Sequence, residues 1–303
     1  MPTIHVSQGH EQGIGIETFL KAFSLIPKKN QTNILLHSNA KVLEENLKFL
    51  SLSFKNRDNQ ITFGQNQLNI KPIDDNSDSQ SLTSLKSCLK NLKKGDILLT
   101  LPTSKDQLGR NGYTEYLRQE FDCSELAMLF KSRDHNVLLL SDHISLKDVS
   151  ATLNLELVEK KMRITLENYQ LYFNPLEEVF LVGINPHAGE GGLLGDEEKI
   201  FSPLIHNLKE SYPQIKFHGP LPGDTLHFYP PNKKRLYVYA YHDQGLAPFK
   251  LKNGLLALNI TLGLPFLRMS VDHGTAFPLY GKNQASSLGA QYLLDTSSNI
   301  LSK

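Results

Sequence analysis

Three short apolar runs, each ending a few residues before a histidine, constrain this chain more than any other feature. Val137-Leu138-Leu139-Leu140 leads into Ser141-Asp142-His143, and Val179-Phe180-Leu181-Val182 leads into Gly183-Ile184-Asn185-Pro186-His187. Leu236-Tyr237-Val238-Tyr239-Ala240 leads into Tyr241-His242-Asp243. A strand without polar alternation is buried on both faces, which points to a mostly parallel sheet covered by helices. Ligands of such sheets gather beyond the carboxyl ends of the strands. A histidine placed there is either a satisfied structural side chain or a metal ligand, and position alone leaves both open. His5, His37, His135, His206, His218 and His227 lack that placement and are read as structural.

The remainder of the chain follows the same alternation. Ile4 and Val6 precede the turn Gly9-His10-Glu11-Gln12-Gly13-Ile14-Gly15. Ile16, Phe19, Leu20, Phe23 and Ile26 then fall on one helical face, with Pro27 as a stop. Ile34-Leu35-Leu36 leads into a second amphipathic helix carrying Val42, Leu43, Leu47 and Leu50. The polar stretch 53–80 holds a strand pair around Ile61-Thr62-Phe63 and Leu68-Asn69-Ile70, and Asp96–Leu101 is predicted as a strand entering the turn Pro102-Thr103-Ser104-Lys105. A length of 303 residues suits two domains or one large α/β domain.

Two glycine-rich loops stand at strand ends. Gly9–Gly15 could hold an anion at the start of the following helix, or be a tight turn with no ligand. It is neither G-x-G-x-x-G, since Thr18 takes the third place, nor a Walker A motif. Asn185-Pro186-His187-Ala188-Gly189-Glu190-Gly191-Gly192 has three glycines in four positions, which lets backbone approach a ligand closely. Asp196, Glu197 and Glu198 are expected in the first turn of the next helix, complementing its dipole. Its regular part is expected to begin near Pro203 with Ser202 as N-cap. Lys250 and Arg268 form a point charge and fork suited to a phosphate or carboxylate, or are solvated charges. Asp224, in Gly219-Pro220-Leu221-Pro222-Gly223-Asp224-Thr225, is a turn residue or a group that orients a ligand or accepts a proton.

Composition removes whole classes of function. The net charge of +1 gives no global attraction to nucleic acid or anionic lipid. No run approaches the roughly 18 apolar residues needed to cross a bilayer. The N-terminal residues lack a basic segment followed by an apolar one, so no signal peptide is read there. Cys88 and Cys123 are the only cysteines and are read as reduced thiols. The expectation is a cytoplasmic protein with no nucleic-acid or membrane partner.

Four long motifs, in order, resemble the 4-hydroxythreonine-4-phosphate dehydrogenases. They are Asn185–Gly192, Gly219–Thr225, Tyr241-His242-Asp243-Gln244-Gly245, and Asn259–Pro265 continuing into Ser270-Val271-Asp272-His273-Gly274-Thr275-Ala276. The resemblance is strong from about residue 96 to 290. It implies two α/β/α domains around a cleft, similar to isocitrate and isopropylmalate dehydrogenases, with 1–112 plus 276–303 as one domain and 113–275 as the other. It implies a homodimer in which His143, His187 and His242 hold a divalent metal (zinc, magnesium or cobalt), His242 coming from the partner subunit. Thr114 would lie near the substrate phosphate, with Lys250, Asn259 and Arg268 completing substrate binding. Asp224 and Asp243 would act as catalytic groups beside the metal. His273, Gly274 and Thr275 would belong to the loop holding the adenosine of NAD, with NADP not separated from it. The implied reaction is oxidation and decarboxylation of 4-phosphohydroxy-L-threonine, a small phosphorylated hydroxy acid, in pyridoxal 5'-phosphate biosynthesis.

Three departures qualify the resemblance. Tyr113 stands in Gly112-Tyr113-Thr114-Glu115 where the family usually has a histidine, so one donor without positive charge replaces a phosphate-binding cation. Gly9-His10-Glu11-Gln12-Gly13 replaces a Gly-Asp-Pro-Ala-Gly type loop, and Phe277-Pro278-Leu279-Tyr280-Gly281 replaces Leu-Asp-Leu-Ala-Gly. The first bears on substrate identity and keeps a 4-phospho-threonate or -erythronate dehydrogenase as an alternative. The third bears on the cofactor contact and keeps a non-catalytic metal-binding relative as another.

Overall fold

The computed structural model describes residues 2–57, 59–74, 78–109 and 112–302. The chain divides into two compact units, Met1–Asp122 with Leu264–Lys303, and Cys123–Gly263. The first unit begins with β1 (Ile4–Ser7), β2 (Ile34–Ser38), β3 (Phe54–Arg57), β4 (Gln60–Phe63), β5 (Asn66–Pro72) and β6 (Ile97–Thr100). The second contains β7 (Ala127–Lys131), β8 (Asn136–Leu139), β9 (Glu178–Val182), β10 (Lys216–Leu221), β11 (Arg235–Tyr239) and β12 (Leu258–Leu262). The chain then returns to the first unit as β13 (Leu267–Val271).

In the second unit the strand order is β10-β9-β11-β8-β7-β12. The four strands from β10 to β8 are parallel, and β7 runs antiparallel to both of its neighbours. Register pairs Tyr239 with Leu139 and Val238 with Leu181, so β8, β9 and β11 end together at one edge. That edge is where the segments carrying His143, His187 and His242 emerge. The apolar runs are buried throughout, including Leu138, Leu181 and Val238. Each fully buried side chain of this size contributes about 1.5–3 kcal/mol relative to exposure. The helix Leu155–Tyr172 starts at Asn154, whose side chain accepts from Leu157 N at 3.0 Å, and buries Val158, Met162, Leu166 and Tyr169. The helix His242–Asn253 approaches β11 so closely that a Cβ at Gly245 would lie 2.9 Å from the Tyr239 ring.

In the first unit the order is β13-β6-β1-β2-β5-β4-β3. Strands from β13 to β5 are parallel, while β4 is antiparallel to β5 and β3. The helix Gly15–Phe23 buries Ile16, Phe19, Leu20 and Phe23, the face that the spacing predicts. The units divide at 122/123 and 263/264, whereas the sequence suggested 112/113 and 275/276. Pairing accounts for the difference, because β13 is bound to β6 through Leu267↔Ile97 and Met269↔Leu99. The helix Tyr113–Glu120 also packs with the first unit, its Tyr113 ring lying against Arg268. Among the described residues no helix is long and apolar enough to cross a membrane.

Candidate active site

The three strand-end histidines of the second unit occupy two adjoining cavities. His143 and His242 line one of about 420 Å³ with Asp142, Ile144, Tyr241 and Asp243. Their rings stand 5.3 Å apart between centroids. His187 lines the other, of about 590 Å³, with Asn185, Asp224, His227, Tyr241 and Gln244. Tyr241 belongs to both. Among the described residues no three histidine, cysteine, aspartate or glutamate side chains are arranged to hold a metal ion. The donor chemistry suits a late divalent ion, yet one chain brings together two of the three imidazoles and not the third.

Each histidine is anchored by its neighbours. Ser141 N and Oγ both donate to the Ala240 carbonyl, at 3.0 and 2.6 Å, tying the His143 segment to the end of β11. The buried Lys161 donates to Asp142 Oδ1 at 3.1 Å and lies 3.8 Å from Glu125. His242 opens its helix, and its Nδ1 lies 2.7 Å from Asp243 Oδ1. An N–H donated to that carboxylate fixes the tautomer and leaves the lone pair on Nε2. Gln244 accepts from Ala240 N at 2.9 Å and donates to the Gly183 carbonyl at 2.8 Å, joining the ends of β11 and β9. Asp224 sits in the short turn Gly223–Phe228 and faces the His187 cavity.

The remaining candidates are placed as follows. Lys250 is exposed on the helix His242–Asn253. Asn259, on β12, has a buried Oδ1 with no hydrogen-bond partner among the described residues, an atom that a ligand donor would satisfy. In the first unit Arg268, on β13, is only 4% exposed and donates from Nε and Nη2 to Thr100 Oγ1, at 3.0 and 2.6 Å. Burial lowers its pKa to about 10, so it stays charged at neutral pH. Its guanidinium lies 5.2 Å from the Tyr113 ring centre. The Tyr113 hydroxyl donates to the Leu101 carbonyl at 3.1 Å, and burial pushes its pKa up. Thr114 is half-buried one residue further along that helix.

The segment Ser270–Ala276, which leaves the end of β13, meets the first glycine loop. Ile14 N donates to the Thr275 carbonyl at 3.0 Å, and a Cβ at Gly13 would lie 3.3 Å from that oxygen. Gly9 has φ +72°, and a Cβ there would lie 2.5 Å from the Pro102 carbonyl. Close backbone approach therefore explains these glycines without a ligand. His10 packs edge-on to Phe277 with centroids 4.8 Å apart, so the second and third departures are in contact with each other. His273 Nδ1 faces the Gly274 carbonyl at 3.0 Å, and its buried Nε2 has no partner among the described residues.

A model of the family described as pyridoxal phosphate biosynthetic protein PdxA matches residues 29–291. A protein named 4-hydroxythreonine-4-phosphate dehydrogenase from Sulfurihydrogenibium sp. (strain YO3AOP1) is 33% identical, over 94% of each chain. The chain belongs to the PdxA family. A crystal structure of 4-hydroxythreonine-4-phosphate dehydrogenase from Klebsiella pneumoniae matches with a TM-score of 0.77 at 26% identity, covering 99% of this chain and 100% of that one. A β-decarboxylating dehydrogenase from Thermococcus kodakarensis shares the fold alone, with a TM-score of 0.51 and 13% identity over 98% of this chain and 83% of that one.

Against this PdxA framework, several placements around the candidate site had no simple sequence signal. His227, read as structural, lines the cavity of His187. Gln244 reads as an ordinary polar residue of a helix, yet it ties two strand ends together. Glu197 and Glu198, expected to complement a helix dipole, instead sit in a separate turn, Glu197–Ile200, and direct their carboxylates to Asn185. The helix that follows, Phe201–Ser211, has no side-chain cap from Ser202, and Pro203 fits its first turn where no N–H is required.

Proposed function

We propose that this chain is an NAD-dependent enzyme that oxidises and decarboxylates 4-phosphohydroxy-L-threonine to 3-amino-2-oxopropyl phosphate, in cytoplasmic pyridoxal 5'-phosphate biosynthesis. The observation that carries the reading is the likeness to a protein of that name along 94% of both chains. His143, His187 and His242 would hold a divalent ion, with His242 supplied by a second copy of the chain. Their division between two cavities is consistent with a site completed by two copies. Leu193, Phe228 and Leu251 are 82%, 87% and 90% exposed, apolar side chains that a second copy would be able to cover.

A bound divalent ion would lower the pKa of the substrate hydroxyl and polarise its oxygen. The protein groups then have separable tasks. Asp243 sets the His242 tautomer, and Asp224, facing the same cavity as His187, is positioned to take a proton. Arg268, charged and held by Thr100, would bind an anionic group of the substrate, with Lys250, Asn259 and Thr114 completing recognition. His273, Gly274 and Thr275 would carry the adenosine end of the cofactor, and the desolvated His273 Nε2 is suited to a ligand hydrogen bond.

A second reading has its own observation. Tyr113, which directs its hydroxyl to Leu101, offers no cation where the family usually has a histidine, and a related phosphorylated acid such as a 4-phospho-threonate or -erythronate is the alternative substrate. Purified protein is mixed with NAD and either acid, with and without a metal chelator, and NADH absorbance is followed. Chelator-sensitive NADH from 4-phosphohydroxy-L-threonine supports the first reading. Turnover of the sugar acid alone supports the second, and silence with both on metal-loaded protein rejects both.

A further inference from the structure

The turn that carries His187 is left-handed. His187, Ala188, Gly189, Glu190 and Gly191 have φ of 52°, 54°, 76°, 45° and 68° in succession. Three of these residues carry a β-carbon, which crowds the following carbonyl in that region, so local preference opposes this path. Such a conformation persists only where surrounding contacts hold it.

Those contacts converge on one carboxylate. Glu198 Oε1 accepts from Ile184 N at 2.8 Å and from Asn185 N at 2.6 Å, and Oε2 accepts from Asn185 Nδ2 at 3.0 Å. A Cβ at Gly189 would lie 2.6 Å from that same Oε2, so the carboxylate rests directly against the left-handed turn. A Cβ at Gly183 would lie 2.7 Å from Ala188 Cα, which shows how tightly the turn folds back over the end of β9. Asn185 Nδ2 is held a second time by Glu197 Oε2 at 2.7 Å, and Ser150 Oγ donates to Glu197 Oε1 at 2.9 Å.

We propose that Glu198 is a positioning residue, whose carboxylate holds the left-handed turn and so sets the direction of His187 without touching substrate or metal. The proposal rests on the reading of His187 as a metal ligand. Charge-assisted bonds to two successive backbone amides fix the entry to the turn, and the contact at Gly189 fixes its middle. A glutamine retains one oxygen for the two amides but presents an NH2 to the Asn185 amide, so it keeps only part of the device.

The test uses the full chain with cobalt(II) as probe and compares Glu198→Ala, Glu198→Gln and His187→Ala. Hydrogen exchange is followed in the segment 183–192, and cobalt affinity is measured by titration. Glu198→Ala is expected to speed exchange in that segment and to weaken cobalt binding roughly 10- to 100-fold. Glu198→Gln should fall between it and the unchanged protein, and should carry the test alone if the alanine variant does not fold. Unchanged exchange and affinity in the folded variants, beside a His187→Ala protein that loses cobalt, would overturn the proposal. If His187→Ala binds cobalt normally, the ligand assignment fails instead. Exchange in 183–192 then still decides whether Glu198 holds the turn, and unchanged exchange rejects it.

Discussion

Mild acid should destabilise the first unit through two buried histidines under the helix Gln80–Asn91. His5 Nδ1 lies 2.9 Å from His37 Nε2, His5 Nε2 lies 3.2 Å from Asp96 Oδ2, and His37 Nδ1 lies 2.8 Å from Ser87 Oγ. One arrangement satisfies every position with both rings neutral. Ser87 donates to His37, His37 donates to His5, and His5 donates to Asp96. A second proton on either ring would set two donors against each other or displace the Ser87 donor. Burial lowers the pKa of His37 to about 3, with repulsion from His5 and Lys71 adding to it, and burial lowers that of His5 against the opposing pull of Asp96. The folded values lie below the unfolded value near 6.5, so the folded state binds fewer protons. Stability from this source is therefore complete above about pH 6.5 and is lost as pH falls towards 3. At pH 5 the loss from His37 alone is about 2 kcal/mol, at about 1.4 kcal/mol per pH step. In a chain of 303 residues, at about 2.1 cal/mol/K of unfolding entropy per residue, that corresponds to roughly 3 °C in melting temperature. Melting followed by circular dichroism at pH 7.5 and 5.0 would compare the natural chain with His37→Gln. The variant is expected to lose less on acidification by about that amount, since carboxylates elsewhere titrate equally in both. An identical drop in the two proteins would show that His37 is not held neutral.

Three further outcomes follow from the site. Arg268→Ala should raise the substrate KM roughly 10- to 150-fold, the loss of about 1.5–3 kcal/mol from bonds to a charged group, and an unchanged KM would place the anion elsewhere. Tyr113→Phe should leave KM within about threefold while costing about 1 kcal/mol of stability, because its hydroxyl serves the Leu101 carbonyl; a large rise in KM would put that hydroxyl on the substrate. Asp243→Asn should weaken metal binding or activity roughly 10- to 100-fold by releasing the His242 tautomer, and full activity with normal metal affinity would remove Asp243 from that role.

The elements legible in the sequence are those whose signal is local and repetitive. The apolar runs 137–140, 179–182 and 236–240 are strands because buried parallel strands need no alternation, and their register places three histidine segments at one edge. The helical face Ile16, Phe19, Leu20 and Phe23 was visible for the same reason. What escaped depends on contacts between distant residues. Glu198 lies 13 residues from Asn185 and looks like any acidic residue near a helix start, until a left-handed turn brings the two together. Gln244 acquires its role only when Gly183 is beside it. Tyr113 is a departure from the family in sequence, and only in the fold does it become a ring against Arg268. His227 offers no periodicity that distinguishes a cavity wall from a surface.

The central claim is tested most directly by the stoichiometry of a single reaction. Metal-loaded protein, NAD and 4-phosphohydroxy-L-threonine are mixed, and NADH and carbon dioxide are measured together. Equal amounts of the two products, both abolished by chelator and restored by added zinc or cobalt, are the expected result. NADH without carbon dioxide would contradict the decarboxylating step, and neither product from a folded, metal-loaded sample would contradict the assignment of this substrate.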